Sequence, residues 1–258
     1  MTSTIIHEVR DKRPLIHHLT NQVVMNFTAN GLLSFGGVPI MAKAVEESGE
    51  MASNADGVLI NIGTIMRNDL EAMIDAGKAA NKKGIPVVLD PVGVGATTFR
   101  KEAIRQILEE ITPTVIKGNA GEMAQLVDIP WEIKGVDSVG SGNSDEIARK
   151  VAEKYKTIAF VTGATDYISN GKELVYNQTG SAILSSVTGT GCLLGSILTA
   201  CLTANHSAID STLAAASFYG MAAEYTEKQN GVKGTGTFIP VFLDALSFSP
   251  EQLEGGEG

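Results

Sequence analysis

From Gly57 onward, short apolar runs recur between longer amphipathic segments, and this alternation restricts the fold more than any other feature. GVLINIG, IPVVLD, TPTVIKGN and TIAFVTG carry apolar residues at consecutive rather than alternating positions. Runs of that kind read as strands buried on both faces, as in a parallel sheet covered by helices on each side. The intervening segments supply the helices: from about Met66 to Lys83, Lys101 to Glu110, the AGEMAQLV segment, and Asp145 to Lys156. The βαβα order predicts an α/β fold with a largely parallel central sheet flanked by helices.

The rhythm breaks after Gly163. TDYISNGKELVYNQ reads as two alternating strands around Asn170-Gly171, a signal for a type I′ hairpin and hence for an antiparallel edge. From Gly189 the pattern is helical almost to the end, with SAIDSTLAAASFYGMAAEYTEKQ as one long core helix. The tail SPEQLEGGEG is acidic and glycine-rich and is expected to fray. No repeat or linker divides the chain, so residues 1–248 are expected to form one domain, with 249–258 as a disordered tail.

Charge narrows the function. Twenty basic residues against 29 acidic ones give a net charge of −9. That balance argues against a nucleic-acid or anionic-membrane partner while leaving room for a local basic pocket. No apolar run is long enough to span a bilayer. The opening MTSTIIHEVRDKRP is too charged for a secretory leader, which points to the cytoplasm. Cys192 and Cys201 make neither a disulfide framework nor a metal site. On one helix they fall on opposite faces, since each residue turns the helix by roughly 100°. Cys201, inside SILTACLTA, reads as core packing.

In open parallel sheets, ligands bind beyond the carboxyl ends of the strands, and four polar clusters lie at such ends. Asp90 closes IPVVLD and precedes Pro91-Val92-Gly93-Val94-Gly95; it can hold Mg²⁺ beside a phosphate or simply cap a turn. Lys117 in KGNAGE can meet a phosphate, and Glu122 can join a metal or merely favour the first turn of a helix. Thr162-Gly163 can line a nucleotide or form a plain turn. The fourth cluster is VTGTGC, a glycine-rich turn that opens a helix and so offers N–H groups to an anion. It lacks the Gly-Lys-Ser/Thr of a P-loop and the placement of a Rossmann turn.

The order of these parts resembles that of ribokinase-like kinases. LTNQVVMNFTANGLLSFGGVPIMAKAVEE, DPVGVGAT, KGNAGE, VTGATDYIS and TGTGC further resemble the hydroxyethylthiazole kinases of thiamine salvage, over essentially the whole chain except the tail. The resemblance implies a ribokinase-like fold and transfer of the ATP γ-phosphoryl group to the hydroxyl of 4-methyl-5-(2-hydroxyethyl)thiazole, with Mg²⁺. It implies that Asn21 and Met41 contact the thiazole, with Gly189 beside its alcohol. Lys117, often an arginine in relatives, and Thr162 match nucleotide-binding positions, and Asp90 and Glu122 match metal-organising carboxylates. It also implies a homotrimer whose active sites are shared between subunits.

Across the wider superfamily the glycine turn ends in an aspartate base, where this chain has Cys192. Helix N-termini lower thiol pKa, so a partly ionised Cys192 can accept the alcohol proton; the bland reading is a small residue filling space. A weak base suffices where the transition state is loose and positioning supplies most of the rate. His17 and His18 sit on a strand and point to opposite faces, so one lines the acceptor pocket or both serve structure. His7 and His206 lie in polar surroundings and receive no role. Three rival readings remain. One is a thiol hydrolase using Cys192, which would need a histidine partner. Another is a nucleotide-dependent NAD(P)H-hydrate dehydratase of the same fold, whose turn normally ends in Asp. The third is a catalytically silent nucleotide binder.

Overall fold

The computed structural model describes residues 1–130 and 143–255. The first part of the chain contributes α1 (Thr2–Lys12), β1 (Leu15–Leu19), α2 (Met25–Phe35), β2 (Val38–Ile40), α3 (Val45–Asn54) and β3 (Gly57–Asn61). The middle follows as α4 (Arg67–Lys83), β4 (Val87–Asp90), α5 (Thr98–Glu110), β5 (Val115–Asn119), α6 (Ala120–Leu126), α7 (Ser144–Tyr155) and β6 (Ile158–Thr162). A hairpin of β7 (Asp166–Ser169) and β8 (Leu174–Asn177) then leads to α8 (Thr190–Cys201), α9 (Ala208–Glu227), α10 (Thr235–Ala245) and α11 (Pro250–Gly255).

One eight-stranded sheet runs in the order β2-β1-β3-β4-β5-β6-β7-β8. Pairing is parallel from β2 through β6 and antiparallel for β6–β7 and β7–β8. The consecutive apolar residues of the central strands divide between two cores, as strand geometry requires. Leu59, Val88, Val115 and Phe160 face the core built with α1, α2, α8, α9 and α10. Val58, Ile60, Val87, Leu89, Ile116 and Val161 face the core built with the helices between Ala52 and Ala152. The helix α8 is buried along nearly its whole length, so it packs as core rather than as a surface helix.

Two expectations need correction. The hairpin turn is not a two-residue type I′ turn: the last pair is Ser169↔Leu174, leaving four residues in the loop. Gly171 has φ 87° but Asn170 keeps a negative φ, whereas type I′ needs positive φ at both central positions. Asn170 Oδ1 instead accepts from the N–H groups of Lys172 (2.9 Å) and Glu173 (2.7 Å), an Asx-type turn that only needs Gly171 to be left-handed. The tail does not fray from Ser249: α11 forms and its Leu253 packs into the larger core. The acidic tail thus contains one apolar anchor, which outweighs its composition. Residues 256–258 lie outside the described residues.

Candidate active site

The parallel register brings the carboxyl ends of β1, β3, β4, β5 and β6 to one edge of the sheet, with Asn61 opposite Asp90 and Asn119 opposite Thr162. The N-terminus of α8 arrives at this same edge. Its N-cap, Gly189, adopts φ 93°, a conformation that costs other residues steric energy. A Cβ there would also lie 2.5 Å from Val24 Cγ1. The first helical bond is Leu193 N–H to Gly189 C=O at 2.9 Å, so the N–H groups of Thr190, Gly191 and Cys192 belong to the orphan donors of a helix start. Tyr219 donates its hydroxyl to the Thr190 carbonyl (2.7 Å) and Thr190 Oγ1 donates to Leu184 O (2.7 Å), fixing the turn from behind.

Below this helix end sits a buried polar network. Lys117 Nζ lies 3.2 Å from Asp90 Oδ2, with both side chains almost fully buried. A Cβ on Gly191 would stand 3.9 Å from the same ammonium, so Lys117 and the helix N-terminus present positive charge to one point. Burial works against the Lys117 charge, but Asp90, and after it Cys192 and Glu122, more than offset this and hold its pKa above the usual lysine value. Asp90 is no turn cap. Burial pushes its carboxyl up, while Lys117 and the amide of Asn61 pull it down.

Asn61 is the hub. Its Nδ2 donates to Asp90 Oδ2 (3.0 Å) and to Cys192 Sγ (3.2 Å), and its Oδ1 accepts from Asn21 Nδ2 (3.0 Å) and Gly63 N–H (2.9 Å). Asn21 Nδ2 also reaches Cys192 Sγ at 3.4 Å. The half-buried thiol therefore accepts from two amides. Its pKa nonetheless moves in the direction opposite to the one expected from a helix start. Burial and the Asp90 carboxylate push the Cys192 thiol up, and Lys117, Asn61 and Asn21 only partly counter them.

Glu122 has the geometry of its first-turn reading. Its Oε2 accepts from Asn119 N–H (2.9 Å) and Asn119 Oδ1 accepts from Glu122 N–H (2.9 Å), closing a capping box on α6. Its Oε1 accepts from Gly93 N–H (2.8 Å) in the loop after Asp90. Burial and the Asp90 charge raise its pKa. Among the described residues, no group of three or more His, Cys, Asp or Glu is placed to hold a metal ion alone. Thr162 stands at the end of β6 and Met41 follows the edge strand β2, both half-buried.

The two β1 histidines are both fully buried. His17 Nε2–H donates to Ala42 O (2.7 Å) in the loop that carries Met41. His18 Nδ1–H donates to Ile16 O (2.9 Å), and its Nε2 accepts from Ser196 Oγ (2.7 Å), joining β1 to α8. Cys201 is buried among apolar side chains. His7 and His206 lie beside Glu251 and Glu8 at the surface, each at 3.4 Å.

Sequence reasoning overlooked Asn61 and Arg100. Asn61 ends β3 as Asp90 ends β4, so its strand-end position was the available signal. Arg100 carries none, because its guanidinium meets only main-chain carbonyls, those of Ile62, Gly63 and Val92.

Comparison with known proteins gives the family. The family model described as "Hydroxyethylthiazole kinase family" matches residues 6–251. The chain belongs to the hydroxyethylthiazole kinase family. A curated relative from Oceanobacillus iheyensis, named hydroxyethylthiazole kinase 1, is 60% identical over 257 residues and covers 100% of both chains. The solved hydroxyethylthiazole kinase of Pyrococcus horikoshii superposes with a TM-score of 0.87 at 37% identity, covering 95% of this chain and 92% of that one. A ribokinase-like superfamily protein from Enterococcus faecalis, at 13% identity, covers 96% of this chain and 95% of its own, with a TM-score of 0.63. It shares the fold alone. The reaction class of the family is phosphoryl transfer from ATP to a thiazole alcohol in thiamine salvage, and the hydrolase and dehydratase readings have no comparable support. No helix among the described residues is long and apolar enough to cross a membrane.

Proposed function

We propose that this chain phosphorylates 4-methyl-5-(2-hydroxyethyl)thiazole with the network around Asp90 and the N-terminus of α8 as its reaction site. The observation that carries this reading is the convergence of Lys117, the α8 N–H groups and Cys192 on one point at the strand ends. The thiazole lies toward β1 and β2, against Asn21 and Met41, with its alcohol beside Gly189. ATP lies toward β5 and β6, by Lys117 and Thr162. The alcohol oxygen forms a bond to the γ-phosphorus as the bond to the β–γ bridging oxygen breaks, and ADP leaves. Charge on the transferred group is met by the α8 N–H groups and the Lys117 ammonium, the preorganised stabilisation on which phosphoryl transfer chiefly depends. The alcohol proton passes to Cys192 Sγ.

The residues present fit Mg²⁺. Asp90 and Glu122 are hard oxygen donors at neighbouring strand ends, and each carboxyl is held high by burial, with Asp90 adding repulsion at Glu122. A divalent cation held by either carboxylate would lessen that repulsion, and Mg²⁺ commonly takes only one or two carboxylates beside substrate phosphates and water. When bound, it supplies neutralising charge to the phosphates. Glu122→Gln is expected to raise the Mg²⁺ concentration needed for half-maximal rate and to lower kcat, with KM for the thiazole alcohol unchanged. Parental activity of this variant at low Mg²⁺ would remove Glu122 from the site.

The assembly proposed is a homotrimer with sites shared between subunits, acting in the cytoplasm. Its support is the family resemblance together with two exposed apolar side chains beside the acceptor end. Val23 is 70% and Met66 54% exposed, and the loops that carry them touch through Gln22 N–H to Thr64 Oγ1 (3.2 Å).

A further inference from the structure

Arg100 on α5 makes no contact with the proposed reacting groups, yet it grips both loops that present them. Its Nη1 donates to Ile62 O (2.8 Å) and Val92 O (2.6 Å), and its Nη2 donates to Gly63 O (2.6 Å). Ile62 and Gly63 follow β3, and Val92 follows β4. The residues held this way are one step from the site. Gly63 N–H donates to Asn61 Oδ1, and Asn61 in turn holds Cys192 and Asp90. Val92 precedes Gly93, whose N–H donates to Glu122 Oε1. Arg100 is itself fixed at the start of α5, where Thr97 Oγ1 accepts its backbone N–H at 3.3 Å.

We infer that Arg100 is a positioning residue: its guanidinium locks the β3 and β4 loops to each other and thereby sets Asn61, Cys192 and Glu122 in register for phosphoryl transfer. The planar fork of arginine reaches three carbonyls from one side chain, whereas a lysine ammonium is a single point on a flexible stem. Besides the fork, the two strand ends are joined by the Ile62 N–H to Asp90 C=O bond (3.3 Å) and by the Asn61–Asp90 side-chain contact. Misplacement of a reacting group by about 1 Å can cost about 10²-fold in rate. The effect falls chiefly on kcat, because the guanidinium acts directly on the loops that carry Asn61 and Gly93 and reaches Asn21 and Lys117 only one contact further on, through Asn61 and Asp90.

The inference rests on the reading of Asp90 and its neighbours as the reaction site, and the test separates the two. Arg100→Lys, Arg100→Ala and Asp90→Asn are assayed as full chains below their melting temperatures, for kcat, for both KM values and for amide hydrogen exchange without substrates. Expected for Arg100→Lys is a fall in kcat of about 10²-fold with both KM values near parental. Exchange should quicken at Gly63 and Gly93 while α9 keeps its protection. Guanidinium ion added to Arg100→Ala should restore part of kcat. Parental kcat in folded Arg100→Lys, with Asp90→Asn inactive, would overturn the clamp. So would a loss of kcat with unchanged exchange in both loops, or one that follows the unfolded fraction and ignores guanidinium. An active Asp90→Asn would overturn the site reading instead.

Discussion

If Cys192 takes the alcohol proton, the pH dependence of the enzyme should expose the difficulty of using a thiol for that task. A thiol of ordinary pKa, about 8.5, is roughly 3% ionised at pH 7. Burial and Asp90 push Cys192 higher still, so in the free enzyme the thiolate fraction at neutral pH is smaller than that. Each unit of pH multiplies it by about ten until the pKa is reached. The kcat/KM for the thiazole alcohol should therefore climb with pH through 7 and 8 without a plateau. Cys192→Asp replaces a scarce base with one ionised across that range, and its profile should be flat from pH 6 to 9. It should keep activity near the parental level, since the greater abundance of the base offsets its weaker basicity. Cys192→Ala should lose about 10²-fold, the low end of what a positioned base contributes, while leaving the glycine turn, the helix start and alcohol binding in place. The assay is ADP release with saturating Mg-ATP over that pH range for the three proteins. Alkylation of the substrate-free parent by iodoacetamide should follow the same rise, with buried Cys201 silent. Asp and Ala variants equally inactive, together with a flat parental profile, would refute Cys192 as the base.

Two further outcomes are expected. Mixing Met41→Trp chains with Cys192→Ala chains should restore activity through hybrid sites if the sites are shared between subunits; no recovery after verified subunit exchange would count against sharing. His18 titrates at about 4 in the fold because burial opposes its charge, against about 6.5 in the unfolded chain. The unfolded chain then takes up the proton first, so stability is intact above about pH 6.5 and falls as pH drops toward 4, by roughly 3 kcal/mol in all. Urea midpoints of parent and His18→Leu at pH 7.5 and 4.5 check this, and an equal pH dependence in both would dismiss it.

The architecture was legible because the strands at Val87–Asp90, Val115–Asn119 and Ile158–Thr162 are buried on both faces, and no other fold buries such runs so simply. The polar residues at their ends could be named for the same reason, since strand ends collect the site in an open sheet. Local chemistry was harder. Asn170-Gly171 carries the composition of a type I′ turn, but the Asn170 side chain satisfies two backbone donors and draws the loop out by two residues. The thiol shift was misread because a helix start is visible in the sequence, whereas the depth of Cys192 and the nearness of Asp90 are not. Asn61 and Arg100 join separate elements, with Asp90 29 positions from Asn61 and Ile62 38 positions from Arg100, and no local pattern encodes those contacts.

The order of strands separates the two tasks proposed for this site. Groups assigned to the phosphoryl group and its charge come from the middle of the sheet and from a helix buried in the core. Met41 comes from beyond β2, a three-residue edge strand that is only half-buried. Within one chain, substitutions near that edge disturb less packing than a change along α8, which the whole larger core must accommodate; in the proposed trimer they must also suit the neighbouring chain. The acceptor end can therefore drift toward other small alcohols while the transfer machinery stays fixed. A library confined to residues 38–44 is the economical route to a kinase of altered acceptor scope.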